Sequence, residues 1–273
     1  MKRYEDRVVA YIDVLGFKNQ IKSTIYENEE NDQETQRIYE AYSIIRSIWN
    51  LDSNDSIIKK TLKSKKVSIF SDSIVVSFKV TDQSGLFFML LELMWLIMQL
   101  VSKKIFCRGA ICYGKLYHTN KMIFGPALIE AYNTESKAAL YPRIVLDESV
   151  IRICAKYGMN KFSDEKKSIQ ELLAKDTDGM YYIEYFSKVQ SEFDNTIYDY
   201  VNYLKILRDI IVENITHDTP IDIRIKYLWM ADKYNLVVNN IKNNNPIDEL
   251  GEDGENELDD VFAYLSPIRI PDH

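Results

Sequence analysis

The sequence predicts an α+β fold: an antiparallel β-sheet with packed helices, followed by a part that is almost entirely helical. Three observations support this prediction: β-rich apolar runs separated by turn residues, helical spacings between those runs, and a change of pattern after about residue 160. The chain has 273 residues, which is enough for one large domain or one domain with an elaboration. Its hydrophobic fraction of 46% allows a sizeable core.

The first half of the chain alternates strands and helices. Strands are predicted at 8–14, 67–70, 74–80, 106–113, 116–124 and 143–146, and helices at 18–26, 34–49, 86–101, 125–140 and 147–157. Ser71-Asp72-Ser73 joins two of these strands and predicts a hairpin. Pro126 suits the first position of a helix, and Asp147 suits a helix cap. The order β-α-β-β-α-β is typical of the ferredoxin-like or palm arrangement, an antiparallel sheet with helices on one face.

We therefore predict three regions. Residues 1–160 form the palm domain, and residues 161–247 form an α-rich elaboration on the same core, with a strand at 180–186 and helices at 194–216 and 221–241. Residues 248–273 form an acidic tail, since eight of the thirteen residues from 248 to 260 are acidic. Such a run is usually solvated and mobile.

Composition limits the classes of partner. The formal net charge of -7 argues against general binding to nucleic acid or to an anionic membrane. The apolar run 86–101 is short for a membrane span and contains Glu92 and Gln99, so we expect a helix in the core or at a dimer interface. Three cysteines do not form a disulfide framework, and the N-terminal residues lack an apolar signal stretch. We expect a cytoplasmic protein.

Two aspartates follow strands that are neighbours in a palm sheet. Asp13 ends the first strand, just before Gly16, and Asp72 lies at the hairpin tip. Either residue alone could be an ordinary turn or cap residue. Together, two carboxylates at one sheet edge would repel each other without a cation, and Mg²⁺ or Mn²⁺ bound with substrate phosphates is the usual partner. The pair predicts a two-metal site for phosphoryl transfer.

Basic and polar residues follow in the next strand and helix. Lys115 comes directly after a glycine turn and could contact a triphosphate, whereas Arg108 could do so or serve as a structural ion-pair partner. One face of the helix from residue 125 is polar, with Glu130, Asn133, Thr134 and Lys137. The opposite face is apolar, with Leu128, Ile129, Ala131, Tyr132 and Ala138. The polar stripe is either a solvated face or one wall of a nucleotide cleft.

In order and spacing, these motifs resemble the class III nucleotidyl cyclase family over about residues 8–150. The matching segments are Asp13-Val14-Leu15-Gly16-Phe17, Phe70-Ser71-Asp72-Ser73, Arg108 to Gly114, Phe124-Gly125, and Asn133 to Lys137. The last segment is similar to the family's Asn-x-x-x-Arg, with lysine in place of arginine and about one helical turn later.

The resemblance implies a function for each of these segments. Asp13, Val14 and Asp72 would bind two Mg²⁺ or Mn²⁺ ions. Gly16, Phe17, Arg108, Tyr113 and Lys115 would contact the nucleoside triphosphate. Asn133 and Lys137 of a second subunit would act on the ribose and the transition state, so the resemblance implies a homodimer with shared active sites.

Within this family, the sequence is most similar to bacterial pyrimidine cyclases of the Pycsar antiphage systems. The segments VVAYIDVLGF, VSIFSDSIVVSF, RGAICYGKLYH and IFGPALIEAYNTESKA carry this similarity, and Pro126 stands where adenine-selecting members have an aspartate. The resemblance implies conversion of UTP or CTP to a cyclic monophosphate that a separate effector protein binds. Three alternatives remain open: a module that senses nucleotide without turnover, a purine cyclase acting on ATP or GTP, and a polymerase-like palm that makes oligonucleotides.

Overall fold

An eight-stranded β-sheet organises the first part of the chain. The computed structural model describes residues 3–26, 29–49, 63–159, 161–193, 198–244 and 265–270. The strands are β1 Glu5–Val14, β4 Lys66–Phe70, β5 Ser73–Lys79, β6 Cys107–His118, β7 Ile123–Phe124, β8 Ile144–Leu146, β9 Leu173–Lys175 and β10 Tyr181–Ile183. β2 Ile25–Tyr26 and β3 Glu29–Glu30 form a separate two-stranded sheet.

The strand order places β1 in the interior of the sheet. The order is β4-β5-β1-β6-β8-β10-β9, with β7 also paired to β6. Neighbouring strands are antiparallel except for β6 and β8, which are parallel. β1 therefore has the hairpin strand β5 on one side and β6 on the other, so residues at its end have two neighbouring strands. The predicted α+β class and the predicted hairpin are confirmed.

Eight α-helices accompany these strands in the described residues. They are α1 Phe17–Ser23, α2 Asp32–Ile48, α3 Gly85–Ser102, α4 Pro126–Ala138, α5 Glu148–Cys154, α6 Phe162–Glu171, α7 Tyr198–Asn214 and α8 Ile221–Asn244. As predicted, Pro126 opens α4, and the Asp147 carboxylate caps α5 by accepting a hydrogen bond from the backbone N–H of Ser149 at 2.8 Å. The sequence did not predict α6 or β9.

Helices cover both faces of the sheet, which differs from the predicted one-face arrangement. α4 packs on Val9 and Val75 through Ala127 and Ala131. On the other face, α3 begins at Gly85, which packs directly on the Phe78 ring. The contact is so close that a Cβ added at Gly85 would lie 2.4 Å from the ring. Val9 and Phe78 belong to opposite faces because successive strand residues alternate and Phe78 is paired with Val8.

α3 is the apolar run seen in the sequence. By length and composition it could cross a membrane, but 61% of it is buried inside the protein. Its Glu92 is buried, forms an ion pair with Lys65 and accepts a hydrogen bond from Trp49 Nε1 at 3.1 Å. The Glu92 carboxylate therefore has its polar partners inside the protein, as expected for an acidic residue on a core helix.

The chain divides into two compact units at residues 184 and 185. The predicted boundary at residue 160 lies earlier, because β10 pairs with β8 and so joins the main sheet. The second unit contains α7, α8 and the segment 265–270. Asn235 holds that segment by donating to the carbonyl of Ile268 at 2.9 Å and accepting from its N–H at 2.7 Å. The predicted acidic run at 248–260 lies outside the described residues.

Candidate active site

Asp13 lies at the end of β1, between two strands. Its register partners are Ser73 on β5 and Arg108 on β6, and its side chain is 23% exposed. The chain leaves the strand through Gly16, whose φ of 74° is in the left-handed region that glycine adopts without steric strain. This sharp turn starts α1 and leaves the Asp13 carboxylate at an open edge of the sheet.

Asp72 lies in the turn between β4 and β5. Ser71 has a φ of 52°, and its carbonyl accepts a hydrogen bond from the Tyr42 hydroxyl. The N–H of Val14 donates to the carbonyl of Asp72 at 3.0 Å, so the hairpin tip is tied to the end of β1. The structure therefore brings Asp13 and Asp72 to the same sheet edge.

A third carboxylate, which the sequence did not single out, adjoins this pair. Glu135 on α4 is 2% exposed, and its Oε1 lies 2.6 Å from Arg108 Nε. The same Arg108 Nε lies 3.6 Å from Asp13 Oδ2. The contact with Glu135 lacks hydrogen-bond geometry and the contact with Asp13 is too long for a hydrogen bond, so both are ion pairs. One guanidinium thus faces two carboxylates.

This arrangement disfavours a charge on Asp13. Burial, followed by repulsion from Glu135 and Asp72, raises the pKa of Asp13 from 3.8 to about 6, although Arg108 acts in the opposite direction. Three carboxylates and one guanidinium leave an excess of two negative charges at neutral pH. An added cation would relieve this repulsion.

The donor chemistry of the site fits Mg²⁺ or Mn²⁺. Carboxylate oxygens are hard ligands, and Mg²⁺ is commonly held by one or two carboxylates together with substrate phosphates and water. Over the described residues, no group of three or more His, Cys, Asp or Glu side chains is arranged to hold a metal ion. Asp13 and Asp72 would therefore supply part of the coordination, and the phosphates and water would supply the rest.

Lys115 lies far from these carboxylates in this chain. It is paired in register with Asp6, and its Nζ lies 2.8 Å from Asp6 Oδ2. Asp6 and Asp13 are seven residues apart on β1, which corresponds to roughly 23 Å along a strand. The Tyr113 hydroxyl also contacts Asp6, at 3.4 Å. The fold of a single chain does not bring Lys115 or Tyr113 to Asp13.

Asn133 and Lys137 face a different space from Glu135. The polar stripe of α4 lines a cavity of about 610 Å³ together with residues of β6 and α5. Asn133 and Lys137 are among the lining residues, as are Tyr113, Glu130, Thr134 and Asp147. Successive helix residues turn by about 100°, so Asn133 and Glu135 project on nearly opposite sides. The stripe is one wall of a cavity, but this cavity does not include Asp13, Asp72 or Arg108.

The buried face of α4 differs from the prediction. Ile129 and Tyr132, which were assigned to the apolar face, are 62% and 52% exposed, although the Tyr132 ring contacts that of Tyr11 on β1 with centroids 5.5 Å apart. The fully buried residues of the helix are the small Ala127 and Ala131, followed one turn later by Glu135. Small side chains allow close approach: a Cβ at Gly114 would lie 3.3 Å from that of Ala127. An acidic residue in register with two buried alanines was the sequence signal for Glu135.

The chain was compared with family models, curated proteins and solved structures. No family model matches, and no curated protein matches. The adenylyl cyclase CyaB from P. aeruginosa aligns with 66% of this chain and 94% of its own, at 12% identity and a TM-score of 0.42. A bacterial light-regulated adenylyl cyclase aligns with 75% and 58%, at 10% identity and a TM-score of 0.39. The catalytic core of a rhodopsin-guanylyl cyclase with converted specificity, in complex with ATPαS, aligns with 67% and 96%, at 13% identity and a TM-score of 0.37.

Proposed function

We propose that this chain is a nucleotidyl cyclase that converts a nucleoside triphosphate to its 3′,5′-cyclic monophosphate and pyrophosphate. The observation that carries the proposal is the juxtaposition of Asp13 and Asp72 at one sheet edge, with an excess of negative charge that a divalent cation would neutralise. The Asp-x-x-Gly-Phe motif, which supplies Asp13 and the Gly16 turn, adds support because it is the first of the segments that resemble class III nucleotidyl cyclases.

In this mechanism Asp13 and Asp72, with the backbone of Val14, would hold two divalent ions. Bound Mg²⁺ or Mn²⁺ would lower the pKa of the ribose 3′-hydroxyl and neutralise charge that develops on the phosphates. The 3′-oxygen forms a bond to the α-phosphorus, the bond to the β-phosphate oxygen breaks, and the hydroxyl proton leaves to solvent. Gly16 and Phe17 would contact the triphosphate at the turn after β1.

A second subunit would complete the site. Lys115, Asn133 and Lys137 lie away from Asp13 in one protomer, so their proposed roles on the triphosphate, ribose and transition state require a homodimer with shared active sites. An Asp13→Asn chain mixed with a Lys137→Ala chain should regain part of the activity, because one site of the heterodimer is intact. A fully active monomer would contradict the shared site.

We propose a pyrimidine triphosphate as substrate, with UTP ahead of CTP. The backbone after Phe124-Gly125 continues with Pro126, which has no carboxylate to accept a hydrogen bond from an adenine amino group. The aromatic side chains of Phe70 and Tyr132 are exposed and could narrow a cleft against a purine. Choice between UTP and CTP requires hydrogen bonds to O4 or N4 of the base, and a mispaired buried group changes affinity by about 1–3 kcal/mol. The proposed role is a cytoplasmic antiphage signal that acts through a separate effector.

Turnover of the four nucleoside triphosphates tests the proposal. The protein would be incubated with each triphosphate and Mn²⁺, and products would be identified by mass. We expect a cyclic pyrimidine monophosphate, which Asp13→Asn and Asp72→Asn abolish and the control Glu171→Gln, at the exposed end of α6, retains. Faster cyclisation of ATP or GTP would refute the pyrimidine assignment alone. Tight nucleotide binding without turnover would favour a sensing module, and a linear or larger cyclic product would favour a polymerase-like palm.

A further inference from the structure

We propose that Glu135 is a positioning residue of this site, which anchors Arg108 and so leaves Asp13 available to a divalent cation. This inference rests on the proposed function, because it concerns the same carboxylates. Glu135 would act through Arg108 and would contact neither the metal nor the nucleotide.

The distances give Arg108 a preferred partner. Its Nε lies 2.6 Å from Glu135 and 3.6 Å from Asp13, so the guanidinium is an ångström closer to the glutamate. Glu135 is itself held in place, since its Oε2 accepts a hydrogen bond from the Ser136 hydroxyl at 2.9 Å. The close packing of α4 on β6, where Ala127 approaches Gly114, limits movement of the helix that carries Glu135.

Without Glu135, Arg108 would have Asp13 as its nearest described carboxylate. A guanidinium donates well to carboxylate oxygens, often two at a time, and those are the oxygens that a metal ion needs. The charge balance points the same way. Asp13, Asp72 and Glu135 against Arg108 leave two negative charges, which match a divalent cation, whereas loss of Glu135 leaves only one.

The structure argues against Glu135 as a metal ligand. The carboxylate is 2% exposed and already paired with Arg108. Within the described parts of the chain, no three acidic, histidine or cysteine side chains form a group that could hold a metal ion. Its influence on a bound cation therefore passes through the arginine.

Mn²⁺ binding without nucleotide tests this inference by a readout that does not depend on turnover. Titration followed by electron paramagnetic resonance would compare the wild type with Glu135→Gln, Glu135→Asp and the control Glu171→Gln, which removes the same charge from the exposed end of α6. We expect Glu135→Gln to weaken Mn²⁺ binding by about tenfold or more, from the lost charge and the freed arginine. Glu135→Asp and Glu171→Gln should stay within about threefold of the wild type.

A double-mutant cycle separates positioning from a simple charge effect. If Glu135 acts by holding Arg108, then Arg108→Gln should strengthen Mn²⁺ binding more in the Glu135→Gln background than in the wild type, whereas a simple charge effect would be equal in both. Equal affinity of Glu135→Gln and the wild type, or an equal effect of Arg108→Gln in the two backgrounds, would overturn the inference. Circular dichroism and thermal melting would establish that each variant is folded.

The outcomes also distinguish this inference from the proposed function. A wild type that binds Mn²⁺ and loses it with Asp13→Asn, but not with Glu135→Gln, would leave the cyclase proposal standing and remove the role of Glu135. A wild type that binds no Mn²⁺ would remove both.

Discussion

Replacement of Asp13 by asparagine should stabilise the metal-free protein while it abolishes turnover. The carboxylate is ionised at pH 8 among two other carboxylates, and repulsion and burial raise its pKa from 3.8 to about 6. An amide of nearly the same shape removes the charge and keeps the packing. Loss of function would then coincide with a gain in stability, which is typical of residues kept for function.

The pKa gives the size of this gain. A rise of about two pKa units corresponds to a destabilisation of about 3 kcal/mol when Asp13 is ionised, and partial exposure reduces this to about 1–3 kcal/mol. At about 2–4 °C for each kcal/mol in a domain of this size, the melting temperature should rise by several degrees at pH 8. The folded state binds the proton of Asp13 more tightly than the unfolded state does. The destabilisation is therefore complete above pH 6 and disappears as the pH falls towards 4.

Thermal melting of the wild type and Asp13→Asn between pH 4 and pH 8, in the presence of a chelator, would check this prediction. The two curves should converge near pH 4 and separate above pH 6. Added Mn²⁺ should raise the melting temperature of the wild type and leave that of Asp13→Asn unchanged. A variant that melts below the wild type at pH 8 would refute the argument, because it would show that Arg108 stabilises Asp13 more than its acidic neighbours destabilise it.

Three further substitutions test other parts of the structure. His118 is buried between the Ser68 and Ser77 hydroxyls, and burial, with repulsion from Arg7 and Lys66, lowers its pKa to about 4. Its neutral form therefore stabilises the fold fully above pH 6.5, and up to about 3 kcal/mol is lost as the pH falls to 4. His118→Gln should lack this loss, so its unfolding free energy at about pH 4 relative to about pH 7 should be higher than that of the wild type. Gly16→Ala and the control Gly179→Ala, both at positive φ, should each cost about 1–2 kcal/mol in denaturant titrations, but only Gly16→Ala should reduce turnover. Arg143→Met should lower the unfolding free energy of the first unit by about 3–5 kcal/mol in denaturant titrations, because the buried carboxylate of Asp176 loses its ion pair with Arg143. A loss below about 1 kcal/mol would contradict this prediction.

Asp13 and His118 respond to acid in opposite directions. Protonation of Asp13 favours the folded state, whereas protonation of His118 opposes it, and both changes occur between about pH 4 and 6.5. The wild type should therefore vary little in stability over this range. The stability of Asp13→Asn should therefore fall as the pH is lowered, because of His118. The stability of His118→Gln should rise as the pH is lowered, because of Asp13.

The sequence was sufficient for those features that local chemistry decides. β-rich runs fixed the strands around Asp13 and Asp72, Gly16 indicated the turn with positive φ, and Asp147 indicated the helix cap. The hairpin at Ser71-Asp72-Ser73 was predicted although it lacks glycine, because its two arms are apolar and β-branched. These features depend on a few neighbouring residues, so they can be inferred without the tertiary structure.

Features that depend on contacts between distant elements were not predictable in the same way. β9 has three residues, and only its pairing with β10 makes it part of the main sheet. The strand predicted at 180–186 is present as β10, but its pairing with β8 was not predicted. The orientation of α4 likewise depends on how closely it approaches β6. Hydrophobicity alone assigned Ile129 and Tyr132 to the buried side, whereas the fully buried positions are Ala127 and Ala131 and the half-exposed Tyr132 contacts the sheet at Tyr11.

That orientation of α4 also decides the chemistry of the candidate site. Had Ile129 been buried against the sheet in place of Ala127 and Ala131, Glu135 would point elsewhere and Arg108 would have Asp13 as its carboxylate partner. The small side chains of Ala127 and Ala131 instead allow α4 to pack closely on the sheet, which places Glu135 2.6 Å from Arg108. Glu135 adds repulsion to Asp13, but it also pairs with Arg108, and removal of one partner of a buried ion pair is destabilising. Glu135→Gln should therefore weaken cation binding without the gain in stability expected for Asp13→Asn.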